Sequence, residues 1–269
     1  MRVNSNYHGV PPLRKFYVTF YSIAQIDRLV NNQKYVEKSL KKCFPTCMGN
    51  KESKKIWLSH SGIEGMYRCP RCFWLQYNKS LRQPEGIVSR LANRFDVILK
   101  KYFDLYRPLG EMPPMIKGKV EGKLEYPFQE KYFYDYNEKY GLTGRLDDCL
   151  VREDGTYTPV DHKTASSDPR EKDIFEAYQH QLNFYALLLE KNKKPTSGFG
   201  HLIYYFPEHG DKLHNGIPIF VYVQTLKTNP GQAFKEFLKA IDILEREMPQ
   251  SADNCPFCGW HEQLKELKI

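Results

Sequence analysis

The segment GRLDDCLVREDGTYTPVDHKT, residues 144–164, places acidic side chains on both sides of a sequence typical of a β-hairpin turn. Its Asp154-Gly155 step suits such a turn because glycine readily adopts a positive φ. A three-residue loop over 153–155 pairs residue 152 with residue 156 and therefore brings Asp147 opposite Asp161. A two-residue Asp-Gly loop would instead bring Asp148 opposite Asp161. Either register predicts two carboxylates facing each other across a strand pair.

Two facing carboxylates create a site for a cation. Directly opposed Cβ atoms lie about 5 Å apart, so the two charges repel unless a cation lies between them. Lys163 follows Asp161 by two residues and shares its strand face, whereas the His162 side chain points to the other face. This set suits a Mg²⁺ or Mn²⁺ ion that polarises a phosphate, with Lys163 orienting or activating the attacking water. The carbonyl of His162 is a further candidate ligand.

An isolated Asp-x-Lys sequence also fits a simpler interpretation, an exposed hairpin in which Lys163 offsets nearby acids. The neighbouring residues favour the active-site interpretation. Gly144-Arg-Leu-Asp147 precedes the Asp-x-Lys sequence by fourteen residues, and Gln181 and Tyr185 follow on one face of a predicted helix, since they are spaced i, i+4.

In this order, the motifs GRLD, DHK and QLNFY resemble those of the PD-(D/E)xK nuclease superfamily. The branch they resemble contains the RecB and AddB nuclease domains and the iron–sulfur exonucleases of CRISPR adaptation. The resemblance covers residues 56–261. It implies that Asp147 and Asp161 bind metal, that Lys163 is the catalytic lysine, and that Gln181 and Tyr185 contact the DNA backbone or the active site.

The same branch carries a histidine or glutamate on an earlier helix. The best match in this chain is Asp96, within NRFDVILKKYF, which departs from that pattern. Aspartate can still bind a hard cation, so Asp96 is a candidate third metal ligand. The alternative is a solvent-facing acid on an amphipathic helix. Lys100 and Lys101 are interpreted as part of a solvated face, and Asp148 as a solvated neighbour.

Two CxxC pairs, Cys69 with Cys72 and Cys255 with Cys258, have the spacing of metal-binding knuckles. Together they predict one four-cysteine site that joins the N-terminal and C-terminal segments of the nuclease core. Zinc and a [4Fe-4S] cluster both accept four thiolates, and the CPxC knuckles favour zinc slightly. Relatives with a cluster hold it by one cysteine before the core and three after it, which differs from this arrangement. The remaining cysteines, Cys43, Cys47 and Cys149, are interpreted as spare or structural thiols.

Composition limits the class of protein. The chain has 269 residues and a formal net charge of +8, which is compatible with a polyanionic partner such as DNA. It contains no apolar run of the roughly 18 residues that a membrane span needs, nor an N-terminal secretory signal, so we expect a cytoplasmic protein without membrane association.

The resemblance implies a nuclease domain over residues 56–269, preceded by an N-terminal extension, residues 1–55, whose hydrophobic periodicity indicates a helix. The extension contains a predicted helix over 23–43. In the second region we expect an α/β fold of the restriction-endonuclease type, a mixed β-sheet flanked by helices. One of these helices should begin near Asp168 and Pro169, an N-cap and a first-turn residue.

The sequence therefore predicts a Mg²⁺- or Mn²⁺-dependent deoxyribonuclease, most simply an exonuclease acting on single-stranded or end-containing DNA. Recombination, repair, CRISPR adaptation and phage DNA processing, with their protein partners, all fit this prediction. The alternative is a catalytically inactive, metal-stapled nucleic-acid-binding module on a nuclease fold. The oligomeric state cannot be read from the sequence.

Overall fold

A computed structural model describes residues 55–84, 90–208 and 216–267. The predicted helix over 23–43, the extension that contains it, Cys43 and Cys47 lie outside these ranges. In chain order the helices and strands are β1 (Ile56–Leu58), α1 (His60–Arg68), α2 (Pro70–Asn78), α3 (Arg90–Tyr106), β2 (Lys123–Leu124), β3 (Lys131–Asp135), β4 (Tyr140–Arg145), β5 (Asp148–Val151), β6 (Tyr157–Thr164), α4 (Glu176–Lys191), β7 (Phe199–Pro207), β8 (Ile219–Lys227), α5 (Pro230–Glu245) and α6 (Pro256–Glu266).

The strands form two sheets. A five-stranded sheet has the order β2-β5-β6-β7-β8, in which only β6 and β7 run parallel. A three-stranded sheet has the order β1-β4-β3, with β1 parallel to β4 and β3 antiparallel to it. Both sheets are mixed, and six α-helices accompany them in the described residues. The predicted α/β class with a mixed sheet is confirmed.

Two apolar clusters hold the helices to these sheets. The larger includes α4, whose second half is buried from Leu182 to Leu189 because this run is almost entirely apolar. The smaller joins α3, through Leu99 and Phe103, to β5, β6 and β7. Burying such side chains is the main driving force for this packing. The catalytic candidates on β6 therefore lie in a strand held between two apolar clusters.

One helix boundary differs from the sequence-based expectation. Asp168 caps only a 3₁₀-helix at Pro169–Glu171, and α4 begins later, at Glu176, with no side-chain cap. Around the first CxxC pair the chain forms two helices, α1 and α2, because Cys69 is extended and Pro70 starts the second helix. Among the described residues, no helix combines the length and the apolar composition that a membrane crossing requires.

Candidate active site and metal centre

The β5–β6 hairpin brings Asp147 and Asp161 together. Asp148 pairs with Val160 and Val151 with Tyr157, so the three-residue loop is the one formed, and Gly155 in it has φ +79°. Extending this register by one pair places Asp147 opposite Asp161, as that loop predicts. The amide of His162 donates a hydrogen bond to Asp147 Oδ2 over 3.2 Å, which fixes the carboxylate beside β6.

Gln181 links the lysine to the aspartate. Its Oε1 accepts a hydrogen bond from Lys163 Nζ over 2.9 Å, and its Nε2 donates to Asp161 Oδ1 over 2.7 Å. Nε2 also donates to the Tyr185 hydroxyl over 2.7 Å. Lys163 Nζ itself lies 2.5 Å from Asp161 Oδ2 as an ion pair. The structure thus brings together four of the residues predicted from sequence, on β6 and on one face of α4.

The Asp161 carboxyl is only 1% exposed, and this burial raises its pKa to about 6. The Lys163 ammonium opposes the rise, and the Asp147 carboxylate adds to it. Oδ2 accepts no hydrogen bond with good geometry from a described residue, although it pairs with Lys163. A buried carboxylate oxygen with spare acceptor capacity beside a second carboxylate is a suitable ligand for a hard divalent cation.

Lys100 was expected on a solvated face, and this interpretation is wrong. From α3 its Nζ lies 3.2 Å from Asp96, 3.5 Å from Asp147 and 3.9 Å from Glu130. Asp96 does lie on the same side as the hairpin carboxylates, joined to them through this ammonium. Glu130 carried no motif in the sequence. Glu130 lies directly before β3. The register between β3 and β4 brings it near Arg145, with which it forms an ion pair.

Asp148 was expected to be solvated, and this is also wrong. Its carboxylate is 1% exposed and accepts two hydrogen bonds from Arg107, over 2.8 and 2.9 Å. Its Oδ2 lies 3.8 Å from Nε2 of His162. The His162 ring, on the opposite face from Asp161 as expected, also contacts the hydroxyl of Tyr205 over 3.0 Å. These groups form a buried polar network directly behind the hairpin carboxylates.

A second polar cluster carried no motif in the sequence. His180 Nδ1 lies 2.8 Å from Glu64, and His180 Nε2 lies 3.8 Å from the buried Glu236. His60 Nε2 lies 3.6 Å from Glu64, and burial, with a contribution from Lys163, lowers the pKa of His60 to about 4. The cluster joins α1, α4 and α5 and lies near Lys163. It was missed because its members come from three separate parts of the sequence.

The two CxxC pairs form one cluster. Each pair begins a helix in the same way, with the first cysteine as N-cap and proline at the first helical position. Across the pairs, Cys69 and Cys258 have sulfurs 3.9 Å apart, Cys72 and Cys255 3.7 Å, and Cys72 and Cys258 3.6 Å. All four sulfurs lie within 4.8 Å of one another. The predicted junction between the N-terminal and C-terminal segments is confirmed, and its donor set suits a metal.

Comparison with known proteins finds distant structural neighbours. Among solved structures, the chain is similar to SSO0001, with 15% identity, a TM-score of 0.38, and coverage of 86% of this chain and 91% of that one. It is also similar to the alkaline exonuclease LHK-Exo from Laribacter hongkongensis, with 9% identity, a TM-score of 0.36, and coverage of 78% and 91%. No curated protein sequence matches the chain.

The family is shown by a sequence model rather than by these distant structures. The model of the PD-(D/E)XK nuclease superfamily matches residues 113–263, more than half of the chain. The matched segment contains the hairpin with Asp147, Asp161 and Lys163, the helix with Gln181, and the second CxxC pair. On this evidence, the chain belongs to the PD-(D/E)XK nuclease superfamily.

Proposed function

We propose that the protein is a divalent-metal-dependent deoxyribonuclease, and more specifically an exonuclease that acts on single-stranded DNA or on DNA ends. The observation that carries this proposal is the hydrogen-bonded set of Asp161, Lys163 and Gln181 beside Asp147. Two carboxylates and an ammonium that meet at the β5–β6 hairpin suit metal-assisted phosphodiester hydrolysis. DNA is the proposed partner, and the chain's net charge of +8 supports a polyanionic substrate.

The residues present fit a Mg²⁺ or Mn²⁺ ion. Asp147, Asp161, the His162 carbonyl and Asp96 would hold it, since all are oxygen donors, and the ammonium of Lys100 already lies between Asp96 and Asp147. When bound, the ion supplies charge stabilisation to the phosphate. Lys163 orients the attacking water from the same strand face. Gln181 and Tyr185 hold Lys163 and Asp161 in place through the hydrogen bonds described above.

For the cysteine cluster we propose zinc rather than a [4Fe-4S] cluster. A tetrahedral zinc ion with Zn–S bonds of about 2.3 Å places its sulfurs roughly 3.8 Å apart. The sulfurs that bind a cubane cluster lie roughly 6 Å apart because each binds a different iron. Three of the six sulfur–sulfur separations are 3.6–3.9 Å and all four sulfurs lie within 4.8 Å of one another, which supports the single ion. Metal analysis should give one zinc per chain and no visible absorption, whereas a broad band near 400 nm would overturn the assignment.

The cellular setting is also a proposal. The five described cysteines, which are Cys69, Cys72, Cys149, Cys255 and Cys258, form no disulfide, and this supports a reducing compartment such as the cytoplasm. Repair, CRISPR adaptation and phage DNA processing remain the proposed contexts, each with protein partners of its own.

A cleavage assay with a matched lysine control tests the proposed activity. Purified protein is incubated with end-labelled single- and double-stranded DNA in Mn²⁺, Mg²⁺ or EDTA. Lys163→Ala should lower cleavage by a factor on the order of 10² or more, because it removes the only candidate for positioning the water among the groups described on that strand face. Lys139→Ala should leave cleavage unchanged, since Lys139 is exposed and pairs with Glu245.

The result also separates an enzyme from a binding module. Cleavage that requires both the divalent ion and Lys163 supports the enzyme, and the products show its polarity. Intact DNA in every lane, from folded protein that still binds DNA in a salt-sensitive way, would refute the enzyme and favour the inactive binding module.

A further inference from the structure

A cavity of about 300 Å³ lies beside the catalytic lysine. Tyr204 and Gln224, from β7 and β8, line it on the sheet side. The segment that follows β6 and the start of α4 line the rest, through Ser166, Phe175 and Tyr178. Its volume is at the lower end of the range of about 300–1,000 Å³ that is typical of small-molecule sites. The space therefore suits one small planar group rather than a folded partner.

This cavity adjoins the catalytic face directly. Lys163 pairs with Tyr204 across β6 and β7, and Asp161 pairs with Leu202, which in turn pairs with Gln224. Lys163 Nζ also lies 4.5 Å from the centre of the Tyr178 ring, so that one aromatic side chain contacts the lysine and lines the cavity. A phosphate beside Lys163 would leave its attached nucleoside within reach of this space.

The lining is matched to a flat group with hydrogen-bonding edges. Phe175 is 64% exposed and meets Tyr178 edge to face, with ring centroids 5.4 Å apart. Much of the Phe175 ring is therefore accessible for stacking on another flat group. The Gln224 amide and the Ser166 hydroxyl each both donate and accept, which suits the edge of a base. The two charged lining residues, Lys172 and Asp173, are adjacent and of opposite sign. The lining therefore carries no net charge that would favour an ionic ligand.

We propose that this cavity is the subsite for the base of the nucleotide next to the scissile phosphate at a DNA end. Stacking on Phe175 and Tyr178 would hold the base, and Gln224 would contact its edge. Base stacking on aromatic side chains tolerates every base, since each has a π-face. The inference rests on the proposed nuclease function and adds to it a way to select an unpaired terminal nucleotide.

The subsite is tested first by binding, which does not depend on cleavage. A single-stranded oligonucleotide carries 2-aminopurine at its 5′ end, at its 3′ end or at an internal position, and Ca²⁺ replaces the activating ion. Binding to the protein should quench the fluorescence more at one end than internally, because stacking on an aromatic ring quenches this base. Phe175→Ala and Gln224→Leu should reduce the quenching. Phe133→Ala should not, since Phe133 is a 53% exposed aromatic residue of the other sheet.

A kinetic measurement then connects the subsite to the reaction. With wild-type protein, an abasic residue at the cleaved end should lower kcat/KM by a factor on the order of ten. In Phe175→Ala, the ratio of kcat/KM between normal and abasic ends should be close to one, and cleavage should still require the divalent ion. Cleavage without any such discrimination, or 2-aminopurine quenching equal at all positions, would overturn the subsite while leaving the nuclease intact. Terminal quenching without cleavage would support the subsite and refute the proposed function.

Discussion

The buried ion pair between Arg107 and Asp148 should be one of the largest single polar contributions to stability in the described residues. Arg107 is 5% exposed and Asp148 1% exposed, and two hydrogen bonds of 2.8 and 2.9 Å join them. In Asp148→Asn, the new amide nitrogen would face the guanidinium, donor against donor, and the buried guanidinium would lose its buried counter-ion. Removing one partner of such a pair typically costs about 3–5 kcal/mol.

Neighbouring contacts set the magnitude within this range. Arg107 keeps a second carboxylate, Asp104, whose Oδ1 accepts from Nε over 2.7 Å, and its guanidinium lies 4.3 Å from the centre of the Phe128 ring. These contacts retain part of the stabilisation, so we expect the lower value, about 3 kcal/mol. Asp104 is 62% exposed, and therefore Asp104→Asn, which touches the same arginine, should cost less than about 1 kcal/mol.

Urea denaturation followed by tryptophan fluorescence measures both variants under identical metal conditions. The double variant Arg107→Met/Asp148→Leu adds a third point, because it removes both charges and should be more stable than Asp148→Asn alone. An equal loss of unfolding free energy in Asp104→Asn and Asp148→Asn would refute the reasoning. A double variant less stable than Asp148→Asn would refute it too.

Three further predictions follow from other parts of the structure. Burial raises the pKa of Asp161 to about 6 from 3.8, so the metal-free protein should lose stability as pH rises from about 4 to about 6, and Asp161→Asn should remove this part of the pH dependence in denaturation measurements. Removing the metal from the cysteine cluster with a strong chelator should lower the melting temperature and expose α6 to proteolysis, whereas Cys149→Ser should leave metal content unchanged. A Cβ at position 144 would lie 2.4 Å from Leu188 Cδ1, so Gly144→Ala should cost about 1 kcal/mol, and adding Leu188→Val should recover part of that loss.

The hairpin at the centre of the site was predictable because its determinants are local. The Asp154-Gly155 step located the turn, but it was compatible with a two-residue and a three-residue loop, and only the register in the structure shows that Asp147 rather than Asp148 faces Asp161. The four-cysteine cluster was also predictable, since each knuckle supplies two of the four ligands that a structural metal site needs. The sulfur separations that favour zinc required coordinates, because spacing in sequence does not determine them.

Contacts between distant segments could not be read from the sequence. Lys100 reaches Asp147 only because α3 packs against the β5–β6 hairpin, and Arg107 reaches Asp148 for the same reason. The start of α4 was misplaced because Asp168 is a good cap by composition, while the chain uses it for a 3₁₀-helix before the long helix begins. Local propensity located the helix, and tertiary packing set its first residue.

The position of the cysteine pairs along the chain has a consequence for biosynthesis. Cys255 and Cys258 follow Asp147, Asp161, Lys163, Gln181 and Tyr185 in the sequence. During translation all of these catalytic candidates therefore emerge from the ribosome before the two thiols that complete the cluster. The hairpin residues are available early in synthesis. A metal ion cannot join α2 to α6 through four thiolates until residue 258 has been synthesised. The four-thiolate site can therefore be completed only after the hairpin and α4 have been synthesised.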